Sequence, residues 1–242
     1  MSVILRVATL WLVLMVVSGC ATPPAIPFDR ASAGDIKTIG ILAPAFPERP
    51  TAFVAASPGQ SFGLIGALID AGIQANQEKR LNAALDSQQF VADPVFTDSL
   101  AEAAKAQGYA VTPIHVDRVK KDRFLEQYPP IDETKVDAYL DVIFVNYGYM
   151  AAGMADSSPF RPWITMRCQL VRASDSTVLM QDAVNYNPLG RVGQNGTTVT
   201  LSPDPTFAFS NMETLESSPA RAAEGLQVAL GKVAAAVGTL LR

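Results

Sequence analysis

The sequence predicts an α+β (or α/β) domain, a mixed β-sheet covered by helices. Three stretches carry that prediction. Residues 138–147 are apolar on both faces in their middle, Val142-Ile143-Phe144-Val145, as a strand central in a sheet requires. Residues 163–171 and 177–186 read as a hairpin around the turn cluster Ala173-Ser174-Asp175-Ser176. The chain then ends in a helix. Ser218 is a suitable N-cap, Pro219 takes the first helical position, and Leu226, Leu230, Val233, Val237 and Leu240 form one apolar stripe.

The chain begins differently. Arg6 is followed by an apolar run over residues 7–17, in which Thr9 is the one polar residue, then by small residues and a cysteine, the layout of an export signal. Eleven residues at about 1.5 Å each reach about 16 Å, half of a hydrocarbon core, so the run is too short to span a bilayer. Val17-Ser18-Gly19-Cys20 resembles the lipobox of bacterial lipoproteins. The resemblance implies cleavage between Gly19 and Cys20, a diacylglyceryl thioether on Cys20, and acylation of the new amino group by a chain such as palmitate. Two or more acyl chains hold a protein stably on a membrane. Ala21, rather than Asp, follows the cysteine, which by the same resemblance points to the outer membrane, with the body facing the periplasm.

Removing nineteen of the 242 residues leaves 223, enough for a single domain over residues 35–242. Loss of Arg6 takes the formal charge from −4 to −5. The largest basic cluster is Arg118, Lys120, Lys121 and Arg123, so nucleic acid is not an expected partner. With Cys20 committed to lipid, Cys168 has no intrachain disulfide partner. It alternates with Ile164, Met166 and Leu170, as a small buried hydrophobe does.

Residues 20–34 hold several prolines and small residues and read as a lipidated tether; the fourteen from Ala21 span about 45 Å if extended. A first strand over residues 36–42 stops at Pro44. Residues 43–60, with four prolines, read as a loop. A long helix is predicted over residues 62–85. Its first half carries Gly63, Ala67, Ala71 and Ala75 at four-residue spacing, a ladder that lets two helix backbones approach closely. The ladder fits either tight packing on the sheet or an interface for self-association or membrane contact. A second helix over residues 99–107, capped by Thr97 or Asp98, ends at Gly108. A strand at 109–114 follows, with Pro113 marking an edge or terminus. A polar helical stretch to about Tyr128 leads into the central strand. Residues 187–217 read as a long loop, with one short strand at 197–201.

Residues able to carry chemistry are few. His115 is the one histidine, and its neighbour Asp117 is too close in sequence to orient it in a triad. One histidine and one core cysteine cannot hold zinc, and no cofactor motif is expected. Asp141 interrupts an otherwise apolar strand and, with Asp137, is the candidate acid–base pair; a wet sheet rim is the plainer expectation for both. The glycines of residues 190–196 (Gly190, Gly193, Gly196) lie outside any strand–helix unit and lack dinucleotide spacing.

The run of cues IKTIGILAP, GYAVTPI, VDAYLDVIFVNYGY and TMRCQLVRASDSTVLMQD resembles the lipoproteins whose domain is like the N-terminal domain of TolB. These include curli-secretion lipoproteins, penicillin-binding-protein activators and GNA-type lipoproteins. The resemblance covers about residues 36–186 and the last helix. This chain departs from it in inserting residues 62–85 and in having Ser-Thr where the hairpin turn commonly has Gly. It implies a non-catalytic outer-membrane lipoprotein that scaffolds, assembles or activates an envelope complex, with other envelope proteins or further copies of itself as partners. Two alternatives stand beside it. A periplasmic small-ligand binder or enzyme would show a pocket joining Asp141, Tyr147 and His115. A secretion-pore subunit would need ring formation and membrane-spanning amphipathic strands.

Overall fold

The sheet is organised along β4 (Ala138–Gly153), a strand long enough to take different neighbours along its two halves. The computed structural model describes residues 24–34, 36–56, 63–153, 158–188 and 198–242. The lipobox and the glycines at 190–196 lie outside those residues.

On one edge, β4 pairs in parallel with β1 (Thr38–Leu42), from Ile39↔Ala138 to Ile41↔Leu140. Further along the same edge it pairs in parallel with β2 (Thr51–Ala56), from Thr51↔Gly148 to Ala56↔Gly153. The two short strands thus lie end to end, joined by a chain that touches β4 at Ala45↔Ile143. On its other edge β4 pairs antiparallel with β5 (Arg161–Arg172), and β5 with β6 (Val178–Tyr186). β7 (Thr198–Leu201) adds in parallel to β6, and β3 (Ala110–Ile114) in parallel to β1. The result is a seven-stranded mixed sheet in the order β3-β1-β4-β5-β6-β7, with β2 beside β4. Pro113 is in the edge strand β3, where its missing N–H costs no ladder bond.

β2 corrects the expected 43–60 loop. The prolines frame a proline-free run, Thr51-Ala-Phe-Val-Ala-Ala, rather than interrupting it. Gly148 makes the pairing feasible. Its φ of +145 is open to glycine, and a Cβ there would overlap the Thr51 backbone.

Helices cover one face. α1 (Arg30–Ala33) is a single turn, and α2 (Gly63–Ser87) packs on β2. α3 (Ala92–Ala106) and a C-terminal helix, α6 (Pro219–Leu240), bury Phe96 and Leu100 with Leu226, Leu230, Val233 and Val237. Their partners on the sheet include Leu140, Val142, Phe144, Met166 and Val184. The two helices cross closely, because a Cβ on Gly238 would meet that of Ala103 at 2.7 Å. α3 begins at Ala92, earlier than expected, and Thr97 and Asp98 lie inside it. Pro94 sits in the first turn, where a proline removes no intrahelical bond. Gly108, at φ +90, ends the helix as expected.

Three further stretches differ from expectation. Residues 117–128 are irregular rather than helical; the turn α4 (Ile131–Thr134) follows. The 187–217 stretch holds β7, a 3-10 turn (Pro205–Phe207) and α5 (Met212–Glu216). An Asn211–Thr214 capping box starts α5, and Phe207, Phe209, Met212 and Leu215 are buried. Residues 24–34, expected as free tether, are docked. Ile26 bridges to Gln181 of β6, and Phe28 packs against the main core. A sheet edge with open N–H and C=O groups recruits nearby chain, and the apolar side chains in the proline-rich stretch give it something to bury.

Candidate functional site

The second half of α2 is core. Leu81, Ala84 and Leu85 are buried, the two leucines among Ala52, Tyr149, Leu215 and Leu226. Polar contacts fix its direction. Asn82 Nδ2 donates to the Pro50 carbonyl at 3.1 Å, and Arg49 pairs with Asp86 at 2.7 Å, so the helix end lies at the start of β2. The helix therefore runs antiparallel to β2. Its 25 residues at about 1.5 Å span roughly 37 Å, against roughly 20 Å for the six of β2. The first half overhangs the sheet.

The small-residue ladder lies on that overhang. Ala67, Ala71 and Ala75 are exposed, as is Gly72. Leu68 is 68% and Ile69 58% exposed, among the largest exposures of any described large hydrophobic residue. Gly63 is the first residue of the helix. Tight packing on the sheet, one of the two readings of this ladder, therefore holds for the second half of α2 and not for the ladder itself.

The second feature is a sealed polar cluster on the sheet face away from α3 and α6. Asp141 is 0% exposed and Arg118 5%, and Arg118 Nη2 donates to Asp141 Oδ1 at 2.6 Å. The other carboxylate oxygen accepts from the Leu125 N–H at 2.9 Å and the Tyr128 hydroxyl at 3.2 Å. Gln169, opposite Asp141 on β5, donates to the same hydroxyl, while Arg118 Nε donates to the Ala43 carbonyl at 3.0 Å. Burial, and then the negative charge of Asp141, push the Tyr128 hydroxyl well above its ordinary range, so it remains a donor. This carboxylate belongs to the interior rather than to the wet rim expected for it. Residues 117–128 are fastened over it by one backbone N–H, that of Leu125, and by the side chains of Arg118 and Tyr128.

The other flagged residues do not converge on it. His115 is 87% exposed at the end of β3, 3.8 Å from Asp117. Asp137 accepts from the Lys37 and Thr38 N–H groups at 2.9 and 2.8 Å and so fastens the start of β1. Tyr147 packs with Phe144 and Ile164 on the helix-covered face, opposite to Asp141. The pocket that would have joined Asp141, Tyr147 and His115 does not form. Arg118 was missed as a partner; a lone carboxylate in an apolar strand beside a basic cluster was the available signal. Cys168 is buried and free, and burial pushes its thiol up to about 12.

A shallow cleft of about 450 Å³ between the start of α3 and α6 is lined by Val91, Pro94, Ala220 and Glu224 among others. Among the described residues no group of His, Cys, Asp or Glu could hold a metal ion, and no helix is long and apolar enough to cross a membrane.

No protein-family model matches the chain, and no curated protein is similar to it. Solved structures do resemble it. A DUF330 protein from Xanthomonas campestris is 13% identical over 85% of this chain and 84% of that one, with a TM-score of 0.40. The PelC dodecamer from Paraburkholderia phytofirmans is 12% identical over 90% and 94%, with a TM-score of 0.34. A neuraminyllactose-binding hemagglutinin homologue from Helicobacter pylori is 9% identical over 88% and 90%, with a TM-score of 0.25. The functional reading that follows rests on this chain's own residues.

Proposed function

We propose that this chain is a lipoprotein, held in the outer membrane through Cys20 and facing the periplasm, that works in an envelope assembly by protein contact. The exposed face of α2 at Ala67–Ile69, Ala71, Gly72 and Ala75 carries the reading. An apolar overhang with Leu68 and Ile69 in water is costly unless something covers it, each side chain gaining about 1.5–3 kcal/mol on full burial. The first partner is a second copy of the chain. Ala67, Ala71 and Ala75 give identical helices a face on which their backbones can approach, with Leu68 bordering it and Ile69 on the other side of the helix.

The test is the molar mass of the mature chain carrying Cys20→Ser, by light scattering, beside Leu68→Glu and Ile69→Glu. The expected outcome is an oligomer that falls to a folded monomer in Leu68→Glu, with native circular dichroism, and is kept in Ile69→Glu, whose side chain lies off the ladder face. A wild-type chain that stays monomeric at high concentration would remove self-association from the reading.

A further inference from the structure

Residues 24–34 are fastened along the base of the sheet at several points. Ile26 N–H donates to the Gln181 carbonyl at 2.7 Å, and Gln181 N–H returns a bond to Ile26 at 2.9 Å. Asp29 accepts from the Ala31 N–H at 3.0 Å, starting α1. Arg30 lies 5.1 Å over the Tyr109 ring and donates to the Gln107 carbonyl at 3.3 Å. Arg172, at the end of β5, donates to the Ala33 carbonyl at 3.1 Å, and Ala33 is buried. This segment is a strap, and it consumes most of the reach the tether would otherwise have.

Four residue steps separate Pro24 from Cys20, a reach of about 14 Å at full extension instead of about 45 Å. The edge of β6 at Gln181 is thus tied closely to whatever holds Cys20. That edge also presents Pro24, Ile26 and Pro27 to solvent, Ile26 at 39% exposure. We propose that this edge of the sheet, strap included, is seated on the lipid surface in which Cys20 is anchored. The inference rests on the lipidation of Cys20 in the reading above.

The same geometry orients the rest of the chain. Gln181 pairs with Gln169, and Gln169 with Asp141, which fixes the level of the strap along β4. α2 is attached to β2, whose partners on β4 run from Gly148 to Gly153. From Asp141 to Gly153 is about 40 Å of strand at roughly 3.3 Å per residue. β4 and β5 also stand between β2 and β6. Along the strands and across the sheet alike, the overhang of α2 is directed away from the anchored edge. Of the two occupants its sequence allowed, a lipid bilayer and another protein, the seating leaves the protein.

The experiment uses the full acylated chain in vesicles of phosphatidylethanolamine and phosphatidylglycerol containing a headgroup-nitroxide lipid. Ser174→Cys, exposed in the turn between β5 and β6, and Asn76→Cys, exposed on α2, each carry a fluorophore. Cys168 is buried and does not compete. Severalfold stronger quenching at position 174 than at 76 is expected. A twelve-residue Gly/Ser insert before Pro24, adding about 20 Å of reach, should reduce the difference, because the short tether is what holds the edge down. Equal quenching at both positions in the chain without the insert, or stronger quenching at 76, would overturn the seating while leaving the anchor intact. Mass spectrometry of the N-terminal peptide separates the premise: an unmodified Cys20 would overturn the anchor and the seating together.

Discussion

Asp141→Ala is the substitution whose cost follows most directly from the structure. Both members of the ion pair are out of water, Asp141 at 0% and Arg118 at 5% exposure. Breaking such a pair from one side leaves a buried, uncompensated charge and costs about 3–5 kcal/mol. The Leu125 N–H and Tyr128 hydroxyl lose their acceptor as well, at roughly 1–3 kcal/mol for each group that finds no water. A loss of at least about 4 kcal/mol is expected. With a urea slope of about 2.5 kcal/mol per molar, the unfolding midpoint falls by at least about 1.5 M. A local readout accompanies the global one. Residues 117–128 lose their anchor, so trypsin should cut the native variant at the exposed Lys120 or Lys121 faster than it cuts wild type. The double variant Arg118→Met, Asp141→Leu removes both charges but still strands the two donors. It should be more stable than the sum of the single losses predicts and less stable than wild type. A single-variant cost below about 1 kcal/mol, or strict additivity in the cycle, would refute the argument that this ion pair holds the loop.

Gly148→Ala places a side chain where the Thr51 backbone already sits, at a φ of +145 that alanine does not adopt readily. A loss of about 3 kcal/mol or more is expected, with β2 detaching and the melting temperature falling accordingly; an unchanged melt would show that β2 does not need the close approach. Cys168 should resist alkylation in the native chain and react at once in denaturant. Its raised thiol pKa also has a pH signature. The folded state keeps the proton up to about 12 while the unfolded chain loses it near 9, so this contribution to stability is present below pH 9 and is lost as pH rises from 9 to 12. Denaturation midpoints that stay flat across that interval would contradict it.

Legibility in the sequence followed the range of the interactions. The central strand, the hairpin and the C-terminal helix were readable because a repeating apolar pattern records which face is buried, and each extends over many residues. β2 was hidden by its flanking prolines, whose meaning changes once Gly148, almost a hundred residues away, offers an edge. Docking of residues 24–34 depends on the open edge of β6, which no local pattern announces. Asp141 was visible as an anomaly, yet its partners Arg118, Leu125 and Tyr128 come from a segment whose own pattern reads as a polar helix. The ladder on α2 was visible too. Whether it was core or surface turned on the length of β2, which the sequence had concealed.

One residue of β4 links these features. The register with β5 shifts between Phe144 and Asn146, leaving Val145 as a bulge, 46% exposed. Before it, Leu140, Val142 and Phe144 face α3 and α6; after it, Tyr147, Tyr149 and Ala151 take the helix-covered face. Without the extra residue the strict alternation of a strand would turn Asn146 and Gly148 towards the core and both tyrosines away from it. The bulge therefore creates the second apolar cluster, in which the Tyr149 hydroxyl donates to the Ala222 carbonyl at 2.9 Å and Leu81 and Leu85 find their partners. Since that cluster holds the second half of α2, the bulge also determines where the helix is gripped and how much of it projects. The exposed ladder is in this sense a consequence of strand geometry: the far half of β4 and its neighbour β2, a strand half as long as the helix, grip α2 by its end.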